Sequence, residues 1–241
     1  MKLIKLDAID STNDFLKGLY NNQLVENFTV VTAESQTNGK GQMGAKWVSE
    51  SGKNLIVSVL IKDILKSNSE IFDLNTVIAL SILEALNDFK IPKISIKWPN
   101  DIMSDDKKIA GILIENLIKS DGTITSIVGF GLNVNQTNFQ DLPKASSLKN
   151  LMNCDFDKNE VLSSILERIQ KNILELQNPT KIWESYNDEL FKKGIIMPFE
   201  DQNGNKFMGI IQQVAQNGKL QLLLENDIIS EFGIKEITML Y

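Results

Sequence analysis

The passage from about Ser69 to Val134 narrows the fold more than any other, because a long helical pattern runs directly into three strand-like stretches. Ile71, Leu74, Val77, Ile78, Ile82 and Leu86 recur on one helical face and predict a helix from about Ser69 to Phe89. Strands are expected near Ile94 to Trp98, Lys108 to Ile118 and Ile124 to Val134, with Ser120-Asp121-Gly122 turning the last two into a hairpin. Successive strands joined by tight turns form an antiparallel or mixed sheet, which is the centre of the fold.

On either side of this centre the pattern is simpler. Ser11-Thr12-Asn13 suits the start of a short helix with Phe15, Leu16 and Leu19 on its apolar face. Strands are expected from Phe28 to Thr32 and Leu55 to Ile61, separated by a glycine-rich, polar segment from Glu34 to Lys46 that reads as a loop. Helical patterns run from about Asn159 to Leu176 and, after Pro179, from Thr180 to Phe191. From Gly194 to Tyr241, short alternating strands divided by Asn203-Gly204 and Asn217-Gly218 predict a small all-β barrel. Two domains follow, 1–192 and 193–241.

Composition removes several chemistries. The chain has no histidine and one cysteine, Cys154, so Ser/His/Asp triads, Cys/His dyads, internal disulfides and most zinc sites are excluded. Net charge is −6 and Arg168 is the sole arginine, which argues against a broad phosphate-gripping face and against DNA as a partner. No apolar segment reaches membrane-spanning length and no signal core precedes Asp7, so the expected location is the cytoplasm, with no membrane partner.

Four stretches have the composition of a ligand site. Gln36 to Trp47 holds Gly39, Gly41 and Gly44 with Lys40 and Lys46, a loop that can bring backbone amides and positive charge close to an anion; it is neither a P-loop nor a dinucleotide fingerprint, and a plain surface loop has the same composition. Lys97-Trp98-Pro99-Asn100-Asp101 is a tight turn with either a solvated Asp101 or an Asn100 and Asp101 that meet a nucleotide and its magnesium ion. Lys108 opens an apolar strand beside the small residues Ala110 and Gly111, and is either solvated or aimed at an anionic centre. Gly129-Phe130-Gly131-Leu132-Asn133 marks either a bulge or a strand that something approaches closely.

Taken in order, these stretches resemble the biotin protein ligases. That family shows an early Ser-Thr-Asn, a glycine-rich loop from Gln to Trp, Lys-Trp-Pro-Asn-Asp, a Lys-x-Ala-Gly-Ile strand and a Gly-x-Gly-x-Asn strand. Here they stand as Ser11-Thr12-Asn13, Gln36 to Trp47, Lys97 to Asp101, Lys108 to Ile112 and Gly129 to Asn133. The resemblance implies an α+β fold: a class II aminoacyl-tRNA-synthetase-like mixed sheet flanked by helices, followed by a small SH3-like β-barrel.

By the same resemblance, the protein is a ligase that activates biotin with ATP and magnesium and transfers it to a lysine of a biotin carboxyl carrier domain, as in acetyl-CoA carboxylase. Ser11, Thr12, Asn13, Gln36, Gly39, Lys40, Gly41, Gln42 and Lys108 are implied to hold biotin, with Lys108 the catalytic residue. Trp47, Asn100, Asp101, Gly111 and Asn133 are implied to face ATP, with Asp101 also meeting the metal. Ser11-Thr12-Asn13 stands so near the start that a short form without a winged DNA-binding helix is expected; a homodimer is compatible. The alternative is a lipoate or octanoate ligase of the same fold, against which stands the lack of an Arg-rich, His-containing loop.

Overall fold

The computed structural model describes residues 2–67, 70–225 and 227–241. Seven strands form the main sheet: β1 (Lys2–Ile9), β2 (Thr29–Gln36), β3 (Leu55–Lys62), β4 (Ile94–Lys97), β5 (Asp101–Ser104), β6 (Lys107–Ile118) and β7 (Ile124–Leu132), in the order β1-β2-β3-β7-β6-β5-β4. β1 and β2 are parallel and the other neighbours antiparallel, so the sheet is mixed, as expected.

Because strand side chains alternate between faces, β3, β6 and β7 each divide their residues between two environments. Leu55, Val57, Val59 and Ile61 of β3, Ala110 and Ile112 of β6, and Val128, Phe130 and Leu132 of β7 join one core. Helix α2 (Ile71–Asp88) packs on this face and is buried almost all round between Leu74 and Leu86, the pattern of an internal helix. Two further helices, α4 (Lys158–Leu174) and α5 (Thr180–Asp188), pack against α2.

The opposite face carries Ser58 and Leu60 of β3 and Ile127 and Gly129 of β7. There α1 (Thr12–Asn22) buries Leu16 against Val31, Leu60 and Ile127. Ser11 caps α1 as expected, its extended backbone leading in and its side chain accepting from Asp14 N at 3.3 Å.

Several elements differ from expectation. β1 was not anticipated. β5 is a separate short strand behind Pro99, and α3 (Leu148–Met152), capped by Ser147, lies in a stretch with no expected element. β2 runs on to Gln36, which shortens the loop, and α5 ends at Asp188 rather than Phe191. The expected start of α2 at Ser69 lies outside the described residues.

The C-terminal strands β8 (Ile196–Asp201), β9 (Lys206–Val214), β10 (Leu220–Leu224), β11 (Ile229–Phe232) and β12 (Ile237–Met239) form an antiparallel sheet in the order β11-β10-β9-β8-β12. Among the described residues no pairing joins β11 to β12. Gly204 and Gly218 adopt φ of +81° in the expected turns, where a side chain would be strained. The sheet is fastened to the main body by Trp98 Nε1 donating to Gly218 O (2.9 Å) and by paired bonds between Asn187 and Val214.

Candidate functional site

Glycines hollow out the α1-facing side of the main sheet. Gly129 lies opposite both Ser58 and Leu113, and Gly131 opposite Gly111. A Cβ at Gly129 would collide with Asn13 Oδ1, and one at Gly131 with the Trp47 indole. The paired glycines therefore admit other groups, the reading in which something approaches the strand closely. A cavity of about 210 Å³ opens in this hollow.

Its inner end is polar and buried. Thr12 donates from its backbone N–H (2.8 Å) and is placed to donate from its hydroxyl (3.1 Å) to Gln36 Oε1. Ser58 Oγ, fully buried in β3, lies 2.8 Å from Thr12 Oγ1 and 2.6 Å from Asn13 Oδ1. Asn13 Nδ2 donates to Glu115 Oε2 at 2.8 Å and approaches Leu113 O at 3.4 Å.

The other end is cationic. Lys40, Lys46 and Lys108 line it with Asn100, Asp101 and Gly111. Lys108 Nζ lies 2.6 Å from Asp101 Oδ1 and 5.7 Å from the centre of the Trp47 ring. Burial depresses the pKa of neighbouring Lys97, an effect that Asp101 opposes and Lys108 and Lys144 reinforce. The glycine loop closes on itself through Gly41 N to Ala45 O (2.7 Å) and Trp47 N to Gly39 O (2.9 Å). The short turn at its tip holds Met43 at φ +53°. Lys40 turns to Asp14 of α1 (2.6 Å), and this contact raises its pKa.

Of the expected site residues, Ser11, Thr12, Asn13, Gln36, Lys40, Gly41, Gln42, Trp47, Asn100, Asp101, Lys108 and Gly111 line this one cavity. Gly39 does not. A Cβ there would strike Trp47 O, where the loop folds back on itself. Asn133 is also displaced: its side-chain amide donates to Ser146 O (3.0 Å), which ties β7 to the segment before α3. Asn100 faces the cavity while its amide is held by Ile112 O (2.8 Å). Ser58, Glu115 and Asp14 were not anticipated. The signal for Ser58 was a single hydroxyl in the apolar run Leu55 to Ile61, and for Glu115 a carboxylate ending the apolar run that follows Gly111.

Asp101 was expected to meet the nucleotide's magnesium ion, and among the described residues it is the one carboxylate that lines the cavity. Its carboxylate is paired with Lys108, and no cluster of three or more metal-ligating side chains exists among the described residues. No described helix is long and apolar enough to cross a membrane.

The site thus pairs a hydrogen-bonding socket with a lysine-rich mouth, an arrangement for a small molecule with a polar head and an anionic end. The model of the biotin/lipoate A/B protein ligase family matches residues 6–134, and the chain belongs to that family. It is 32% identical over 194 residues to the bifunctional ligase/repressor BirA of Bacillus subtilis, an alignment covering 76% of this chain and 59% of that protein. The biotin--[acetyl-CoA-carboxylase] ligase of Mycobacterium tuberculosis is 27% identical over 197 residues, covering 80% of this chain and 72% of that one. The biotin protein ligase of Aquifex aeolicus, solved in complex with biotin and ATP, superposes with a TM-score of 0.82 at 28% identity over 99% of this chain and 98% of that one. The chain spans 59% of the length of the first of these relatives.

Proposed function

We propose that this protein couples biotin to ATP as biotinyl-adenylate and passes the biotinyl group to a lysine of a biotin carboxyl carrier domain of the acetyl-CoA carboxylase type. The observation that carries this reading is the buried polar end of the cavity. Thr12, Asn13 and Gln36 line it, with Ser58 buried behind them, and their hydroxyl and amide groups suit a ureido ring. The octanoyl chain or dithiolane ring of the lipoate branch has no hydrogen-bonding head and would make no use of these groups.

In the first step a carboxylate oxygen of biotin bonds to the α-phosphorus of ATP and the bond to pyrophosphate breaks. Lys108 neutralises charge developing between the two reactants, while Lys40, Lys46 and the amides of the glycine loop hold the adenylate. In the second step the carrier's amine attacks the acyl carbon and AMP departs, with the amine proton lost to solvent. Neither step requires histidine. Trp47, Gly111, Asn100 and Asp101 are assigned to the nucleotide. Magnesium is assigned as the nucleotide's own counter-ion, which one carboxylate, Asp101, would help to hold alongside the phosphates.

On this reading residues 1–192 are a class II synthetase-like catalytic domain and residues 193–241 an SH3-like barrel. The acidic balance of the chain favours a protein rather than DNA as its macromolecular substrate. The test is the intact mass of an apo carrier domain after incubation with this protein, ATP and either biotin or lipoate. A gain of one biotinyl group in the biotin reaction only is expected, and modification by lipoate alone would transfer the assignment to the other branch.

A further inference from the structure

We infer that Glu115 is a positioning residue that sets the hydrogen-bond polarity of the biotin socket through Asn13, Ser58 and Thr12. The inference rests on the biotin reading above and adds to it a residue outside the socket wall.

A carboxylate only accepts, so the Asn13 amide must present Nδ2 to Glu115 Oε2 at 2.8 Å. This fixes Asn13 Oδ1 on the opposite side, 2.6 Å from Ser58 Oγ. An amide oxygen cannot donate, so the single proton of Ser58 goes to it. Ser58 is fully buried and has no solvent to turn to. With that proton committed, Ser58 Oγ meets Thr12 Oγ1 at 2.8 Å as an acceptor, and the Thr12 proton points inward to Ser58 Oγ or to Gln36 Oε1. In either case Thr12 Oγ1 turns lone pairs to the cavity. The chain of constraints that starts at Glu115 ends in an acceptor suited to a ureido N–H.

Without the carboxylate, only the longer contact to Leu113 O (3.4 Å) still orients the amide. When the amide turns over, Nδ2 donates to Ser58 and the Ser58 proton turns to Thr12, so the Thr12 proton loses one of its two inward acceptors. It keeps only the longer contact to Gln36 Oε1, which already accepts from Thr12 N, and is freed to turn to where the ligand presents its own proton. The position of Glu115 also makes this separable from folding. It is partly exposed at the far side of Asn13, whereas Ser58 and Asn13 are buried.

The experiment measures biotin affinity by titration calorimetry, together with KM for biotin and ATP, kcat and melting temperature, in wild type, Glu115→Leu, Glu115→Gln and Ser58→Ala. Glu115→Leu is expected to weaken biotin binding about tenfold or more, with kcat at saturating biotin and KM for ATP close to wild type. Glu115→Gln, whose Oε1 can accept from Asn13, should recover most of that loss. Ser58→Ala, which breaks the chain independently, should also weaken biotin binding. Wild-type affinity in Glu115→Leu would overturn the inference. So would an equal loss in Glu115→Gln, or a parallel rise in KM for ATP, either of which would mark a charge effect or a general structural one. A wild-type protein that binds no biotin would instead remove the biotin reading itself.

Discussion

Lys108 Nζ sits 2.6 Å from Asp101 Oδ1, joining β6 to the start of β5 at the cationic end of the cavity. The pair is partly open to solvent, so its direct contribution to stability is small, about 0–1 kcal/mol. Its contribution to catalysis is expected to be larger, because Lys108 lines the cationic end of the cavity, where the proposed reaction joins carboxylate and phosphate. Lys108→Ala should lower adenylate formation roughly 10²–10³-fold while leaving the melting temperature nearly unchanged. Pyrophosphate release under saturating biotin and ATP is the measurement, and near-normal turnover would contradict the role.

The two strand glycines make a separable pair. A methyl group at Gly129 strikes Asn13, whereas one at Gly131 strikes Trp47. Gly129→Ala should therefore raise KM for biotin, and Gly131→Ala should raise KM for ATP. Each change is expected to reach tenfold or more, about 1.4 kcal/mol. Steady-state kinetics with either substrate varied distinguishes the two, and identical profiles would show that the cavity is not divided in this way.

Tyr186 provides a test of the core. Its ring packs edge-on to Phe72 and Trp183, and its fully buried hydroxyl has no hydrogen-bond partner among the described residues. Burial alone pushes the phenol pKa far above its usual range. Removing an unsatisfied buried hydroxyl costs nothing and can relieve about 1 kcal/mol. Tyr186→Phe should match or exceed wild-type stability in urea denaturation; a clear loss would reveal a partner for the hydroxyl.

The glycine loop carries Lys40, Gln42, Met43 and Ala45 and no arginine. Lys40 is moreover turned to Asp14. A planar guanidinium clamps carboxyl and phosphate groups better than an amide or a single ammonium. Gln42→Arg is expected to slow release of biotinyl-adenylate after pyrophosphate is removed, and an unchanged or faster rate would show that the clamp lies elsewhere.

The sequence made legible what depends on pattern. The α2 periodicity, the hairpin at Ser120-Asp121-Gly122 and the turn glycines 204 and 218 are local signals, and the helix, the hairpin and the turns form where those signals stand. β1 escaped because an exposed edge strand mixes lysine and aspartate with its apolar residues, and β5 because four residues behind a proline carry no visible period. In the site, motif residues with unusual composition were found, but partners that look ordinary in their own strand or helix were not. Ser58, Glu115 and Asp14 acquire meaning only when the tertiary fold sets them beside Asn13 and Lys40. Asn133 shows the converse, a motif residue whose side chain fastens a neighbouring segment.

In the proposed function, a socket suited to a ureido head and a lysine-rich mouth together make an adenylating acyl ligase. That function is tested most directly by incubating the protein with biotin and α-labelled ATP, without a carrier, and separating the products. Biotinyl-AMP and pyrophosphate are expected in the wild type, lost in Lys108→Ala and absent when octanoate replaces biotin. Label that remains in ATP with biotin present, or an acyl-AMP formed from octanoate but not from biotin, would contradict it.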